Sequence, residues 1–166
     1  MNFFVVFRIL YTPGGTINGI WGNDNSSNIL ASNDRYIYVI NTTSITKVLM
    51  IGYGGGRKQI RSFPSKASPL TLNFSVLSIH YNSIGENSSA YCNGKYKDAF
   101  TEINDKNGEN TFSIGFISSS PSPFNSQKHI AYFSLYHGRF SRKDILIQHK
   151  YLRERYGIDH DPITIS

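Results

Sequence analysis

The feature that most constrains this chain is a change of period within one stretch, His129 to Ile158. From Ile130 to Tyr136 the residues alternate as a half-buried strand requires. Ala131, Phe133 and Leu135 share one face, and Ile130, Tyr132, Ser134 and Tyr136 share the other. Gly138 permits a tight turn. Ser141 followed by Asp144 reads as an N-terminal capping pair, an imperfect one because Asp is shorter than the usual Glu or Gln. The spacing then becomes helical: Ile145, His149, Leu152 and Tyr156 form one stripe with Leu146 beside it, and Gly157 supplies a left-handed closing residue. This predicts one short C-terminal helix over about 141–156.

The rest of the chain reads as strands. Phe3 to Leu10 is apolar enough to be covered on both sides. Ile17–Trp21, Arg35–Ile40 and Lys47–Tyr53 follow, separated by turn-rich segments. The run from Leu70 to Tyr81 puts Phe74, Val76 and Ser78 on one face and Leu77, Ile79 and Tyr81 on the other. Ser89–Cys92 leads into Asn93-Gly94, the strongest hairpin signal in the chain. Lys95–Glu102 returns from it, and Thr111–Ile117 is expected to pair back. Many short strands at this spacing predict an all-β, antiparallel two-sheet jelly-roll sandwich. A length of 166 residues suits one domain spanning 1–166, burying roughly 70% of its unfolded surface. Beginning directly on a strand, it is expected to be part of a longer protein.

These pieces carry a resemblance. Ile130-Ala131-Tyr132-Phe133-Ser134-Leu135-Tyr136, the Phe140-Ser141 turn and Tyr151-Leu152-Arg153-Glu154-Arg155-Tyr156-Gly157 resemble the closing strand and helix of laminin-G-like domains. Those domains belong to the concanavalin A-like lectin/glucanase superfamily. Asn93-Gly94-Lys95, Ser113-Ile114-Gly115 and Gly19-Ile20-Trp21-Gly22-Asn23 resemble further family segments in the same order. The resemblance implies the sandwich fold and leaves the ligand open, because function resides in sites grafted on a fold.

Glycan-cleaving members of that superfamily set two carboxylates on one strand face, about 5 Å apart in retaining enzymes. No such motif occurs here. Asp98 and Glu102 could share a face, but four residues of strand separate them by roughly 13 Å. His80, His129, His137, His149 and His160 form no metal or triad spacing, and His149 is expected to pack its ring on the sandwich. Glycines 52 and 54–56 lack the Lys-Ser/Thr of a phosphate loop and read as turn geometry. The expectation is therefore a protein that is not an enzyme and has no catalytic residues.

The net charge of +6 gathers at Arg57, Lys58, Arg61 and Lys66, read as a basic loop, and along 139–155. It would permit contact with acidic surfaces, but no nucleic-acid motif accompanies it. No stretch is long and apolar enough to span a membrane, and the N-terminus reads as a strand and not as a leader. The single Cys92 reads as core filling, and the absence of a bridge adds weight to a virion or prokaryotic setting.

What remains is a binding surface. An aromatic ring flanked by amide and guanidinium groups suits a pyranose. Trp21, Asn23, Asp24, Tyr53 and Arg57 are the candidate ligand residues, with Tyr38 and Tyr91 as possible additions. The resemblance also implies a calcium ion at the sandwich rim, for which Asp24 and Asp34 are the candidates. Two functions are expected. One is a module recognising a glycan or protein receptor, extracellular or on a virion surface. The other is a structural virion module packing on neighbouring subunits or on copies of itself.

Overall fold

A computed structural model of the chain describes residues 1–9, 17–23, 35–41, 47–53, 56–60, 74–82, 85–101, 112–114, 128–158 and 165. For most of the second sheet it describes the backbone alone. Among these residues lie ten strands: β1 (Asn2–Ile9), β2 (Ile17–Asn23), β3 (Arg35–Asn41), β4 (Lys47–Tyr53), β5 (Gly56–Ile60), β6 (Ser75–His80), β7 (Asn87–Cys92), β8 (Lys95–Thr101), β9 (Phe112–Ile114) and β10 (Lys128–Tyr136). The helix α1 (Arg142–Arg155) follows. One sheet has the order β10-β1-β6-β7-β8 and the other β5-β4-β3-β2-β9, and their strands pair antiparallel. The fold is the all-β sandwich that the strand pattern predicts.

β1 is the central plank. Phe3, Val5 and Phe7 point between the sheets, where they meet Ile20, Trp21, Leu77, Ile79, Tyr81 and Phe100. Phe4 and Val6 point to the opposite side and join Val76, Leu152 and Ile158. A strand with both faces apolar must be covered twice, and the second cover is α1. The helix therefore lies on the outer face of the first sheet. The same division holds in β6, where Leu77 and Ile79 turn inward and Val76 and Ser78 outward.

The helix ends are built as their sequence suggests. Ser141 Oγ accepts the Asp144 N–H at 3.2 Å, and Asp144 Oδ2 accepts the Ser141 N–H at 2.9 Å, so both halves of the capping box form despite the short side chain. At the far end Gly157 takes φ +59°. Ile158 N–H reaches the Arg153 carbonyl at 2.9 Å, and Gly157 N–H reaches that of Glu154 at 3.4 Å, the paired bonds of a Schellman ending.

Four expectations change. Ile130 packs with Phe133 against the inter-sheet core and not with Tyr132. A bulge is the reason: β1 pairs Val6 with Tyr132 but Phe7 with Ile130, which skips Ala131 and inverts the alternation. The basic segment at Arg57 and Lys58 is an edge strand, β5, with Tyr53 pairing Gly56 across a two-residue connection. β9 pairs with β2 in the second sheet and does not return to β8. Trp21 is only 1% exposed, its ring between Phe3 and Tyr81 at centroid distances of 5.5 and 6.3 Å, so it offers no platform to a ligand.

Candidate functional site

The candidate site is at one end of the sandwich, where β1 begins and β6 and β10 finish. An open cavity of about 220 Å³ lies there, lined by Met1, Tyr81, Asn82, His137, Gly138 and Arg139. Its walls are held by bonds between segments distant in the chain. Asn2 Nδ2 donates to the Gly138 carbonyl at 2.7 Å, fixing the turn in which Gly138 adopts φ +105°. Arg139 Nη2 donates to both Glu86 oxygens at 2.8 Å, yet the arginine side chain stays 73% exposed. Asn82 is held by its Nδ2 bond to the Asn87 carbonyl at 2.6 Å and its N–H bond to Ser88 Oγ at 3.0 Å. The result is a hollow with an amide, an imidazole and a guanidinium at its rim, the amide and the guanidinium held by bonds within the protein.

The second sheet reaches the same end through Trp21 near the close of β2, whose ring packs against Phe3 and Tyr81. Two residues on, Asn23 pairs with Arg35 on β3 and Phe112 on β9. In the adjoining rows, Gly22 pairs with Tyr36, Tyr36 with Gly52, and Gly52 with Arg57, while Tyr53 pairs with Gly56. Register thus gathers Asn23, Tyr53 and Arg57 at one end of three neighbouring strands and β2. Asp24 and Asp34 lie outside the described residues, next in the chain to the paired residues Asn23 and Arg35. Of the further aromatic candidates, Tyr38 pairs with Gly19 and Met50 inside the second sheet. Tyr91 is buried at 7% exposure, its ring against His80, His149 and Tyr96.

A second polar constellation is enclosed beneath α1. Ser78 Oγ lies 2.8 Å from Nε2 of His80 and 2.8 Å from Nε2 of His149. His80 Nδ1 lies 3.0 Å from Asn2 Oδ1, and Gly94 N–H donates to His149 Nδ1 at 3.1 Å. A serine between two imidazoles has the elements of a nucleophile and its base. Here Ser78 and His149 are 0% exposed and an amide stands where a triad has its carboxylate, so no substrate reaches the hydroxyl while the helix is docked. Burial pushes both imidazoles down to about 3; the Met1 amine adds to this at His80, and His80 and Arg153 add to it at His149. The helical stripe predicted that His149 faces the sandwich. The alternation of β6 puts Ser78 and His80 on one face, but nothing local joins them to His149, 71 positions on from Ser78.

Cys92 is a buried member of the inter-sheet core, and burial raises its thiol to about 12. Asp98 Oδ1 accepts the neighbouring Ala99 N–H at 2.8 Å, and Glu102 lies outside the described residues. Among the described residues no group of three His, Cys, Asp or Glu side chains converges on a metal position. No helix among them is long and apolar enough to cross a membrane.

No family profile matches the chain, and no curated protein sequence matches it. Solved structures do share its fold. One, described in work on the cell entry of botulinum neurotoxin type C and its interaction with two ganglioside molecules, has 18% identity and a TM-score of 0.54, over 91% of this chain and 35% of that one. The binding domain of botulinum neurotoxin serotype D/C has 17% identity and a TM-score of 0.53, over 91% and 36%. A leech intramolecular trans-sialidase complexed with 2,7-anhydro-Neu5Ac has 13% identity and a TM-score of 0.62, over 99% and 24%. The chain spans about a quarter to a third of the length of these structures. At such identities the likeness is one of fold.

Proposed function

We propose that this chain is a non-catalytic, laminin-G-like glycan-binding module acting outside the cell or on a virion surface. The observation that carries the reading is the preformed cavity at the sandwich end, where Asn82, His137 and Arg139 converge on a hollow anchored by the Asn2–Gly138 and Arg139–Glu86 bonds. Polar groups held in place lose little freedom on binding a sugar hydroxyl or carboxylate, and this favours affinity for a small, heavily hydrated ligand. Fold likeness to structures whose descriptions name a ganglioside and a sialic acid derivative supports the same class of ligand. Asn23, Asp24, Tyr53 and Arg57 remain further candidate ligand residues in this reading, and Asp24 with Asp34 would hold calcium through hard oxygen ligands. Trp21 backs the cavity from within the core through its contact with Tyr81.

The test is a glycan array probed with the full chain, with and without calcium, beside a light-scattering mass. Retention of a defined glycan set that Arg139→Ala and Asn82→Ala each weaken at least tenfold supports the reading. An array silent in both conditions, together with a defined oligomer, replaces it with the structural-module reading.

A further inference from the structure

We propose that helix α1 is an acid-released cover: protonation of the His80–Ser78–His149 cluster beneath it lifts the helix from the first sheet and bares the apolar face underneath. The inference stands on the direction of the buried hydrogen bonds. Gly94 N–H donates to His149 Nδ1, so the neutral ring carries its proton on Nε2 and gives it to Ser78 Oγ. Ser78 then gives its single hydrogen to His80 Nε2, whose Nδ1–H reaches Asn2 Oδ1, and Asn2 Nδ2 ends the chain on the Gly138 carbonyl. Each partner is satisfied in this one arrangement, and both imidazoles are neutral in it.

A further proton on His149 sets an N–H against the Gly94 N–H. One on His80 sets an N–H against Ser78 and leaves the serine hydrogen with no acceptor. The groups around the two rings are Asn2 and Phe4 from β1, Ser78 from β6, Tyr91 from β7, Gly94 from the hairpin turn, Phe140 from the turn before the helix, and Arg153 from α1. The charges among them and the Met1 amine are positive, and among the described residues no carboxylate bonds either ring.

The helix is the element with least to lose. β1 and β6 are laddered on both sides, whereas α1 is tied to the sheet and its hairpin by side chains: His149 to Ser78 and Gly94, Arg153 Nη1 to the Asn93 carbonyl at 3.5 Å, and, at its C-cap, the Tyr156 hydroxyl to the Ala131 carbonyl at 3.1 Å. Lifting it exposes Phe4, Val6 and Val76, all at 0% exposure when it is docked.

The experiment is hydrogen exchange on the full chain between pH 7 and 5, at low and increasing urea. Below pH 6.5 the opening constant of the α1 amides should rise roughly a hundredfold per pH unit, tenfold for each histidine. That opening should depend weakly on urea and run well ahead of the β3 and β4 amides, with a rise in binding of an apolar-surface dye. His149→Gln and His80→Gln should each cut the rise to about tenfold per unit. The proposal is overturned if α1 amides exchange in step with β3 and β4 at the same urea dependence, or if the variants keep the wild-type slope. Should neither variant fold, nitrogen shifts of the wild-type imidazoles decide: neutral rings at pH 5 wherever the helix is docked support it, and a charged ring under a docked helix overturns it.

Discussion

The hydroxyl of Ser78 on β6 lies 2.8 Å from Nε2 of His149 on α1, a bond between residues 71 positions apart that joins the helix to the sheet at a point closed to water. The same oxygen contacts His80, so its loss strands two rings at once. Ser78→Ala should therefore lower stability by about 2–6 kcal/mol, at 1–3 kcal/mol for each buried group left unpaired. Urea unfolding at neutral pH measures it. A loss below about 1 kcal/mol would mean that the two imidazoles find other partners.

Stability should also fall in acid. Both histidines titrate at about 3 in the fold, below the ordinary 6.5, so the unfolded chain binds more protons between those values. The stabilisation is complete above pH 6.5 and is lost as pH falls towards 3, at about 1.4 kcal/mol per unit for each ring. Urea midpoints at pH 7, 6 and 5 check the slope, and His149→Gln should halve it.

Cys92 makes the opposite case at alkaline pH. Its thiol titrates at about 12 in the core against an ordinary 9.0. The unfolded chain ionises first, so this contribution is present below pH 9 and is lost as pH rises from 9 towards 12. At pH 8 the native protein should leave a thiol reagent unreacted, and unfolding in urea should release one equivalent.

Trp21 and Arg139 should separate folding from binding. Trp21→Ala removes a ring packed on Phe3 and Tyr81 and should cost roughly 3–5 kcal/mol of stability. Arg139→Ala removes a largely exposed ion pair with Glu86 and should cost less than about 1 kcal/mol. Only the second should abolish glycan retention in a protein that still unfolds cooperatively.

Local chemistry made much of the fold legible. Asn93 and Gly94 adopt the positive φ angles of 51° and 82° that their hairpin requires, and the same turn docks the helix through Gly94. The capping pair, the closing glycine and the inward stripe of α1 each depend on residues within one or two turns of each other. What stayed hidden depends on partners far apart. Nothing at Ala131 marks a bulge, because the skipped residue is neither Gly nor Pro and the irregularity appears only against β1. β5 reads as a basic loop because an edge strand needs no alternation, and its Arg57 and Lys58 suit an edge. Trp21 resembles a platform because its two covering rings come from residues 3 and 81. The cavity wall at Arg139 is fixed by Glu86, 53 positions earlier, a pairing that no periodicity encodes.

The position of β1 has a consequence for biosynthesis. Its neighbours in the sheet are β6 and β10, and the second of its two coverings is a helix made later still. On a translating ribosome this strand emerges before both of its partners with its apolar faces bare, and neither ladder can close until the later strand has been synthesised. The nascent segment Phe3–Phe7 is thus where a chaperone would bind, and release would have to wait until the chain beyond Tyr136 had cleared the exit tunnel.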